Sequence, residues 1–178
     1  QHAENFIEKG CQDLDLYNLL AVTYAKQNKF LLAEKYFLRL IHFKPDDVDY
    51  NYNLANLYLQ NKQLEKSIIF LHKSLNIDPD NTKSLVLIAK TYTELEDYDN
   101  ALKFINKINP NNLNDKDVLI AKGILLNKTG LFKQSLDCFK LCFKESMLIA
   151  DPNGKKNVQI IMQFITKSPA FSTKTTLL

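Results

Sequence analysis

Apolar residues recur at helical spacing along most of the chain, and short polar stretches interrupt them at regular intervals. The first two apolar stripes consist of Tyr17, Leu20, Ala21 and Tyr24, and then of Ala33, Phe37 and Leu40. Members of a stripe lie three or four residues apart, which is the spacing of one helix face. The polar segment 27–29 separates the stripes. The pattern therefore predicts two helices joined by a turn.

The same pattern returns every ~34 residues, and a fixed period of this length is typical of a repeat protein in which one repeat is one supersecondary unit. Tyr24, Tyr58 and Tyr92 follow one another at this interval, and so do Pro45 and Pro79. We expect each repeat to be a helical hairpin, and the predicted repeats are 14–47, 48–81, 82–115 and 116–149.

Small residues occupy one position in each predicted helix. They are Ala21, Ala55, Ala89 and Gly123 in the first helices, and Ala33, Ser67, Ala101 and Ser135 in the second helices. We expect each pair to face each other, because small side chains let two helices approach closely. Proline ends the second helix, and Asp or Asn caps the next one. Pro110 comes three residues early, so the second helix of the third repeat should be a turn short, followed by a mobile loop at 109–115.

In its period, small-residue pairs, tyrosine position and closing proline, the chain resembles the tetratricopeptide-repeat family over about residues 14–149. The resemblance implies an all-α fold in which antiparallel helix pairs form a right-handed superhelix. Three features depart from the family pattern. Asn51 replaces the usual aromatic residue, Lys122 replaces an apolar residue, and the fourth repeat lacks the closing proline.

Both ends of the chain are expected to belong to the repeat array. Residues 1–13 are interpreted as the end of a preceding repeat or as an N-terminal helix, and 150–168 as a C-terminal capping helix. The capping helix is predicted from an apolar stripe of Val158, Ile161, Met162 and Ile165. Residues 169–178 form a tail without periodicity. Because the first residue is Gln1, we expect the chain to be a piece of a longer protein.

Composition narrows the class of protein. With 46% hydrophobic and 24% charged residues, the chain should form one folded unit, and no apolar run is long enough to cross a membrane. The net charge is +3, and Arg39 is the only arginine, which argues against nucleic-acid binding. Cys11, Cys138 and Cys142 lack metal-binding spacing and are expected to be reduced, which favours a cytoplasmic location.

Candidate catalytic and metal-binding chemistry is absent from the sequence. His2, His42 and His72 are isolated from other ligand-type residues, and no nucleophile motif or phosphate-binding loop occurs. The sequence therefore predicts no cofactor, no metal and no enzymatic activity.

The resemblance places the binding surface on the concave face, which the first helix of each repeat builds. The candidate residues are Asn18, Leu19, Val22, Tyr52, Asn53, Asn56, Lys83, Val86, Leu87, Lys90, Ile120 and Ile124. The polar members could hydrogen-bond a peptide or remain solvated. The apolar members are expected to lie open for a ligand or to be covered by the terminal helix or tail.

The expected function is a scaffold that binds a peptide or amphipathic helix of a partner protein, without nucleic-acid binding or membrane insertion. Self-association through the tail is an additional possibility. The alternative is a recruitment arm of a larger enzyme, such as a repeat-bearing glycosyltransferase with its catalytic domain outside this chain. Some members of the family bind chaperone carboxylates with five clamp residues. Only two of the five matching positions in this chain, Asn53 and Lys83, carry the clamp residue type, which argues against an acidic chaperone tail as the ligand.

Overall fold

The computed structural model describes residues 13–148, with side chains described as far as Lys144. Within this range the backbone forms eight α-helices and one short 3₁₀ helix, and no strand. The all-α prediction is confirmed. The interpretations of residues 1–12, of the capping helix at 150–168 and of the tail at 169–178 lie outside the described residues.

The helices follow one another in pairs, and the first helix of each pair begins at the first residue of a predicted repeat. Their bounds are α1 Leu14–Lys26, α2 Phe30–Phe43, α3 Val48–Gln60, α4 Leu64–Ile77, α5 Thr82–Glu94, α6 Tyr98–Ile105, α7 Lys116–Lys128 and α8 Phe132–Leu148. The 3₁₀ helix, Pro110–Asn112, lies between α6 and α7.

Each first helix begins with an acidic or amide cap at the same position of the repeat. The four caps are Asp13, Asp47, Asn81 and Asp115, and each side-chain oxygen accepts a backbone N–H of the first turn at 2.9–3.1 Å. Such caps satisfy donors that the helix cannot satisfy itself, and each typically contributes about 1 kcal/mol. The predicted capping role of Asp and Asn in these turns is confirmed.

The turns within the hairpins share a left-handed backbone residue. Asn28, Lys62, Glu96 and Gly130 have φ values of 57°, 57°, 60° and 80°, and they occupy the same position in successive repeats. This conformation suits glycine and asparagine but costs other residues about 1–2 kcal/mol. The four turns therefore adopt one conformation although two of them carry residues that disfavour it, so the paired helices impose the turn.

Gly130→Ala should isolate the cost of this conformation, because an added Cβ would meet no atom within 4 Å. We expect a loss of about 1 kcal/mol in the free energy of unfolding, measured by denaturant titration. Gly130→Asn should lose less, since asparagine tolerates the left-handed region. Equal stability of the alanine variant and the parent would show that this turn relaxes to another conformation.

Aromatic pairs hold the first three hairpins together. The tyrosine near the end of each first helix lies against a ring of the second helix. The pairs are Tyr24 with Tyr36 at 5.7 Å between centroids, Tyr58 with Phe70 at 5.6 Å, and Tyr92 with Phe104 at 5.7 Å. In the fourth hairpin the equivalent residues are Leu126 and Cys138. The repeated tyrosine is therefore a packing residue within its own hairpin.

The predicted small-residue contact is most direct in the fourth hairpin. Ser135 Oγ donates a hydrogen bond to the carbonyl oxygen of Gly123 at 2.7 Å, so α7 and α8 approach through their backbones. A Cβ added to Gly123 would lie 2.7 Å from the ring of Phe139, which is fully buried. Gly123 is therefore required by the ring that packs against it.

Asn51, which stands where the family usually has an aromatic residue, is fully buried on α3. Its Nδ2 donates to the carbonyl oxygens of Pro45 and Asp47 at 2.9 and 2.8 Å. The departure from the family pattern thus replaces ring packing by two hydrogen bonds to the turn that precedes α3. Asn51 Oδ1 is buried without a hydrogen-bond partner among the described residues.

The second helix of the third hairpin is shorter than its counterparts, as Pro110 predicts. Helix α6 has 8 residues, whereas α2 and α4 each have 14. Pro110 begins the 3₁₀ helix, where its fixed φ fits the first position and its missing N–H is not needed. Nothing in the structure tests the predicted mobility of the 109–115 loop.

Contacts divide the chain into two compact units, one ending at Thr91 and the other beginning at Tyr92, whereas composition predicted a single folded unit. The reason is that residues in a repeat protein contact mainly their own and adjacent repeats. The first unit contains α1 to α4 and most of α5. Its apolar core includes Tyr17, Phe37, Leu40, Leu54 and Tyr58.

Candidate peptide-binding surface

The candidate surface in the first unit is a depression between α1 and α3, with a volume of about 340 Å³. One turn of α1, one face of α3, the turn after α1 and one residue of α2 form its wall. The lining residues are Val22, Ala25, Lys26, Asn28, Phe37, Asn53, Asn56, Leu57 and Gln60.

Helical spacing explains how α3 supplies most of this lining. Asn53, Asn56, Leu57 and Gln60 follow the i, i+3, i+4, i+7 pattern, so they share one face of the helix. Leu57 is 3% exposed and belongs to the core, whereas the two asparagines are half-buried. The face thus combines an apolar base with amide groups that reach the surface.

The depression has an apolar floor and an amide rim. Val22, Ala25, Phe37 and Leu57 supply the floor, and Asn28, Asn53, Asn56 and Gln60 supply side-chain amides. Within the described part of the chain, none of these four amide side chains is hydrogen-bonded to another residue. An amide offers both donors and an acceptor, as a peptide group does. The arrangement suits a peptide that inserts one apolar side chain and hydrogen-bonds through its backbone.

Asn18 adds a polar acceptor on the same helix, one turn before Val22. Its Oδ1 atom is buried and has no hydrogen-bond partner among the described residues. Buried polar atoms without partners are uncommon, because the lost hydrogen bond to water costs about 1–3 kcal/mol.

The charges change from acidic near the start of α1 and α3 to basic at the end of α1. Burial, and then the negative charges of Asp47, Asp15 and Asp49, raise the pKa of the Tyr50 hydroxyl. These three carboxylates form an acidic edge. Lys26 stands at the opposite end of α1 and is exposed. The acidic edge repels carboxylates, which agrees with the mismatch to the chaperone-tail clamp.

The structure brings together only part of the predicted site. Val22, Asn53 and Asn56 line the depression, while Leu19 is 63% exposed outside it. Tyr52 and Lys90 are half-buried, and Lys83 is exposed. In the second unit, Ile120 is half-buried and Ile124 is 37% exposed on α7.

Val86 and Leu87 differ from the expectation of an open apolar surface. They are 5% and 6% exposed, and they belong to a run of six consecutive buried residues, 84–89, on α5. Six residues exceed one helical turn, so this part of α5 is enclosed on all sides. Of the two alternatives for the apolar candidates, an open surface does not hold for these two side chains. Their cover by the terminal helix or tail stays a prediction, because both segments lie outside the described residues.

Six lining residues were missed from the sequence. Ala25, Lys26, Leu57 and Gln60 follow from the helical spacing of residues already chosen, so the periodicity contained the signal. Asn28 belongs to the turn and Phe37 to the second helix. A surface defined only by first helices could not include them.

Potential metal ligands and thiols are present among the described residues. Within residues 13–148 no three His, Cys, Asp or Glu side chains are placed to hold a metal ion. Burial, as the largest effect, raises the pKa of the Cys138 thiol. A raised pKa makes a thiol less reactive as a nucleophile at neutral pH. No helix among the described residues is long and apolar enough to cross a membrane.

Paired helices that repeat at a fixed period define a helical-repeat protein, a class of fold that serves as a protein-interaction scaffold. The chain belongs to the tetratricopeptide-repeat family. Residues 23–108 match the family model described as "Anaphase-promoting complex, cyclosome, subunit 3".

Two curated relatives and one solved structure illustrate the similarity. The chain is 32% identical over 134 residues to the anaphase-promoting complex subunit CDC16 of Saccharomyces cerevisiae, covering 75% of this chain and 14% of that protein. It is 29% identical over 103 residues to the protein O-mannosyl-transferase Tmtc3 of Drosophila melanogaster, covering 57% of this chain and 11% of that protein. The chain therefore spans less than a sixth of either relative.

The solved structure is the TPR2B domain of yeast Sti1 in its complex with pHsp70. It superposes with a TM-score of 0.57 at 18% identity, covering 66% of this chain and 96% of that one. At this level of identity the likeness shows a shared fold.

Proposed function

We propose that this chain is a protein-interaction module that binds an extended segment of a partner protein along its first helices. The observation that carries the proposal is the depression between α1 and α3, whose apolar floor and amide rim match an apolar side chain and its flanking peptide groups. Asn53 and Asn56 would orient the segment by hydrogen bonds, and Val22 would contact the inserted side chain.

Two of the similar proteins support this proposal. CDC16 is a subunit of a multiprotein complex, and the Sti1 domain was solved in complex with pHsp70. In both, a repeat array of this type belongs to a protein assembly. A non-catalytic role for this chain is consistent with that pattern, and the cytoplasmic location stays a prediction.

The ligand should be a segment that is uncharged where it enters the depression, which Lys26 lines, and without acidic residues where it approaches the acidic edge. The acidic edge formed by Asp15, Asp47 and Asp49 would repel an acidic peptide, whereas amide side chains bind peptide groups without requiring charge. Leu19, Lys83, Lys90 and Ile124 stay candidate residues that lie outside the depression.

The proposal can be tested with a phage-displayed library of random 16-residue peptides. Peptides selected on the parent protein should lose about 10- to 30-fold in affinity for Asn53→Ala/Asn56→Ala, because each hydrogen bond contributes about 1 kcal/mol. Fluorescence anisotropy with labelled peptides measures the loss. Asn76→Ala, the same change at an exposed asparagine of α4 outside the depression, is the matched control.

Two results would contradict the proposal. Peptides that bind the double variant as tightly as the parent would place the binding site elsewhere. If no peptide is enriched on the parent protein, this surface does not bind linear segments. Circular dichroism of the variants separates loss of binding from loss of fold.

A second candidate function is a recruitment arm of a larger transferase, which the similarity to Tmtc3 favours. Because the chain spans 11% of that relative, a catalytic domain would have to lie in sequence beyond this chain. Sequencing the complete transcript decides between the two functions. The recruitment arm requires a transferase domain in the same reading frame, whereas the interaction module does not.

A further inference from the structure

The contact between α4 and α5 is built differently from the other contacts between successive repeats. It contains four hydroxyl side chains, Ser67 and Ser74 on α4 and Ser84 and Thr91 on α5, and all four are fully buried. On both helices the two hydroxyls are seven residues apart, which places them on one face two turns from each other.

The hydroxyls form two pairs across this contact. Ser74 Oγ and Ser84 Oγ are 2.8 Å apart, and Ser67 Oγ and Thr91 Oγ1 are 3.5 Å apart. The first distance is that of a good hydrogen bond, and the second is at the limit of a weak one. The contact is therefore held partly by polar pairs inside the protein.

Each pair also has a backbone acceptor that does not depend on its partner. Thr91 Oγ1 donates to the carbonyl oxygen of Leu87 on its own helix at 2.8 Å. Ser74 Oγ lies 3.3 Å from the carbonyl oxygen of Val48, which belongs to the same hairpin. If α5 moved away from α4, these two hydroxyls would keep a hydrogen bond.

The equivalent positions in the two neighbouring contacts between repeats are apolar. In the preceding repeat they hold Ala33, Leu40, Tyr50 and Leu57, and all of these belong to or pack against one hydrophobic cluster. In the following repeat they hold Ala101, Ile108, Val118 and Leu125, which are buried. Separation at these contacts would expose large apolar side chains, at a cost of about 25 cal/mol per Å². Leu71 and Ile88, which lie between the hydroxyls on the same two helix faces, are fully buried and would be exposed by separation as well. At the four hydroxyl positions, however, separation exposes small polar groups instead of apolar side chains.

We propose that the α4–α5 contact is a built-in joint, at which α5 separates from α4 more readily than successive repeats separate elsewhere. Its hydroxyls exchange their contact with each other for backbone acceptors or water, so opening costs less at these four positions than at their apolar equivalents in the neighbouring contacts. Because α3 packs in one hairpin with α4, movement at the joint changes the distance between Asn53 on α3 and Lys83 on α5. The joint would thus adjust the spacing of two candidate ligand-binding residues.

Native-state hydrogen exchange tests the joint without any ligand, so the result is independent of the proposed function. A 13-residue helix released from its neighbour is marginally stable by itself, so opening of the joint should also open the backbone hydrogen bonds of α5. Amides of α5 within residues 85–89 should exchange at least tenfold faster than those of α3 within residues 54–58, after correction for intrinsic rates. Burial alone predicts the opposite order, because α5 is enclosed on all sides over this stretch.

Two variants make the test specific. Ser67→Ala/Thr91→Val replaces one hydroxyl pair by apolar groups of nearly the same shape and should slow exchange in α5 by about threefold or more. Ala33→Ser places a hydroxyl at the equivalent position of α2 and should speed exchange in α3. Exchange in α5 that is no faster than in α3, or that becomes faster in the double variant, would overturn the proposal.

Discussion

Asn51→Asp should lower the free energy of unfolding by about 3–5 kcal/mol at neutral pH, although it changes one NH₂ group to oxygen. The amide Nδ2 donates to the carbonyl oxygens of Pro45 and Asp47 at 2.9 and 2.8 Å. A carboxylate oxygen at that place would face two acceptors, and position 51 is fully buried. The new charge would have neither water nor a donor to compensate it.

The loss should depend on pH in a defined direction. Burial and the neighbouring oxygens raise the folded-state pKa of the new carboxyl above its unfolded value of about 3.9. The ionisation penalty is therefore complete above the folded-state pKa, shrinks as the pH falls through it, and is absent below about pH 3.9, where only the loss of one of the two donated hydrogen bonds remains. Denaturant titrations at several pH values, each relative to the parent, measure this profile.

Asn51→Leu is the matched control, because leucine stands at the equivalent positions 85 and 119 of the next two repeats. It should lose about 1–3 kcal/mol through the two unpaired carbonyl oxygens, and its loss should not vary with pH. If Asn51→Asp is as stable as the parent at neutral pH, the turn before α3 does not depend on these hydrogen bonds.

Gly123→Ala should destabilise the protein by about 1–2 kcal/mol, although alanine is the better helix former by about 1 kcal/mol. The added Cβ would lie 2.7 Å from two ring carbons of Phe139, and that ring is fully buried and cannot move into solvent. The resulting shift would also strain the 2.7 Å hydrogen bond from Ser135 Oγ to the carbonyl oxygen of Gly123.

A double-mutant cycle identifies the cause of this loss. Phe139→Leu removes the ring carbons that the new Cβ meets, so Gly123→Ala should be neutral or stabilising in that background. Thermal unfolding of the parent, both single variants and the double variant provides the four values. An equal loss from Gly123→Ala in both backgrounds would show that the ring is not the obstacle.

Helical spacing and the fixed repeat period were sufficient to predict the paired helices and their Asp and Asn caps. Both depend on residues close in sequence, such as Asp47 and the N–H of Tyr50. The shortened α6 was also predictable, because proline acts on its own turn. What the sequence did not reveal was the left-handed conformation of Lys62 and Glu96, because their side chains disfavour it and the helices on either side impose it.

Only part of the candidate site was predicted, because the rest depends on how neighbouring helices pack. Choosing one face of each first helix found Val22, Asn53 and Asn56, which line the depression. The same rule failed for Leu87, because burial depends on what surrounds a helix and not only on its own periodicity. Asn28 and Phe37 could not be assigned without knowing how the turn and α2 close the depression.

The hydroxyl pairs between α4 and α5 also bear on how such an array can evolve. Repeat proteins gain and lose units by duplication and unequal recombination, and units with equivalent contact surfaces are interchangeable. Deleting the hairpin α3–α4 would bring Ala33 and Leu40 of α2 to the positions that Ser67 and Ser74 hold against Ser84 and Thr91. A recombination event that separates the second hairpin from the third therefore leaves buried hydroxyls facing apolar side chains. We expect these two hairpins to be inherited together.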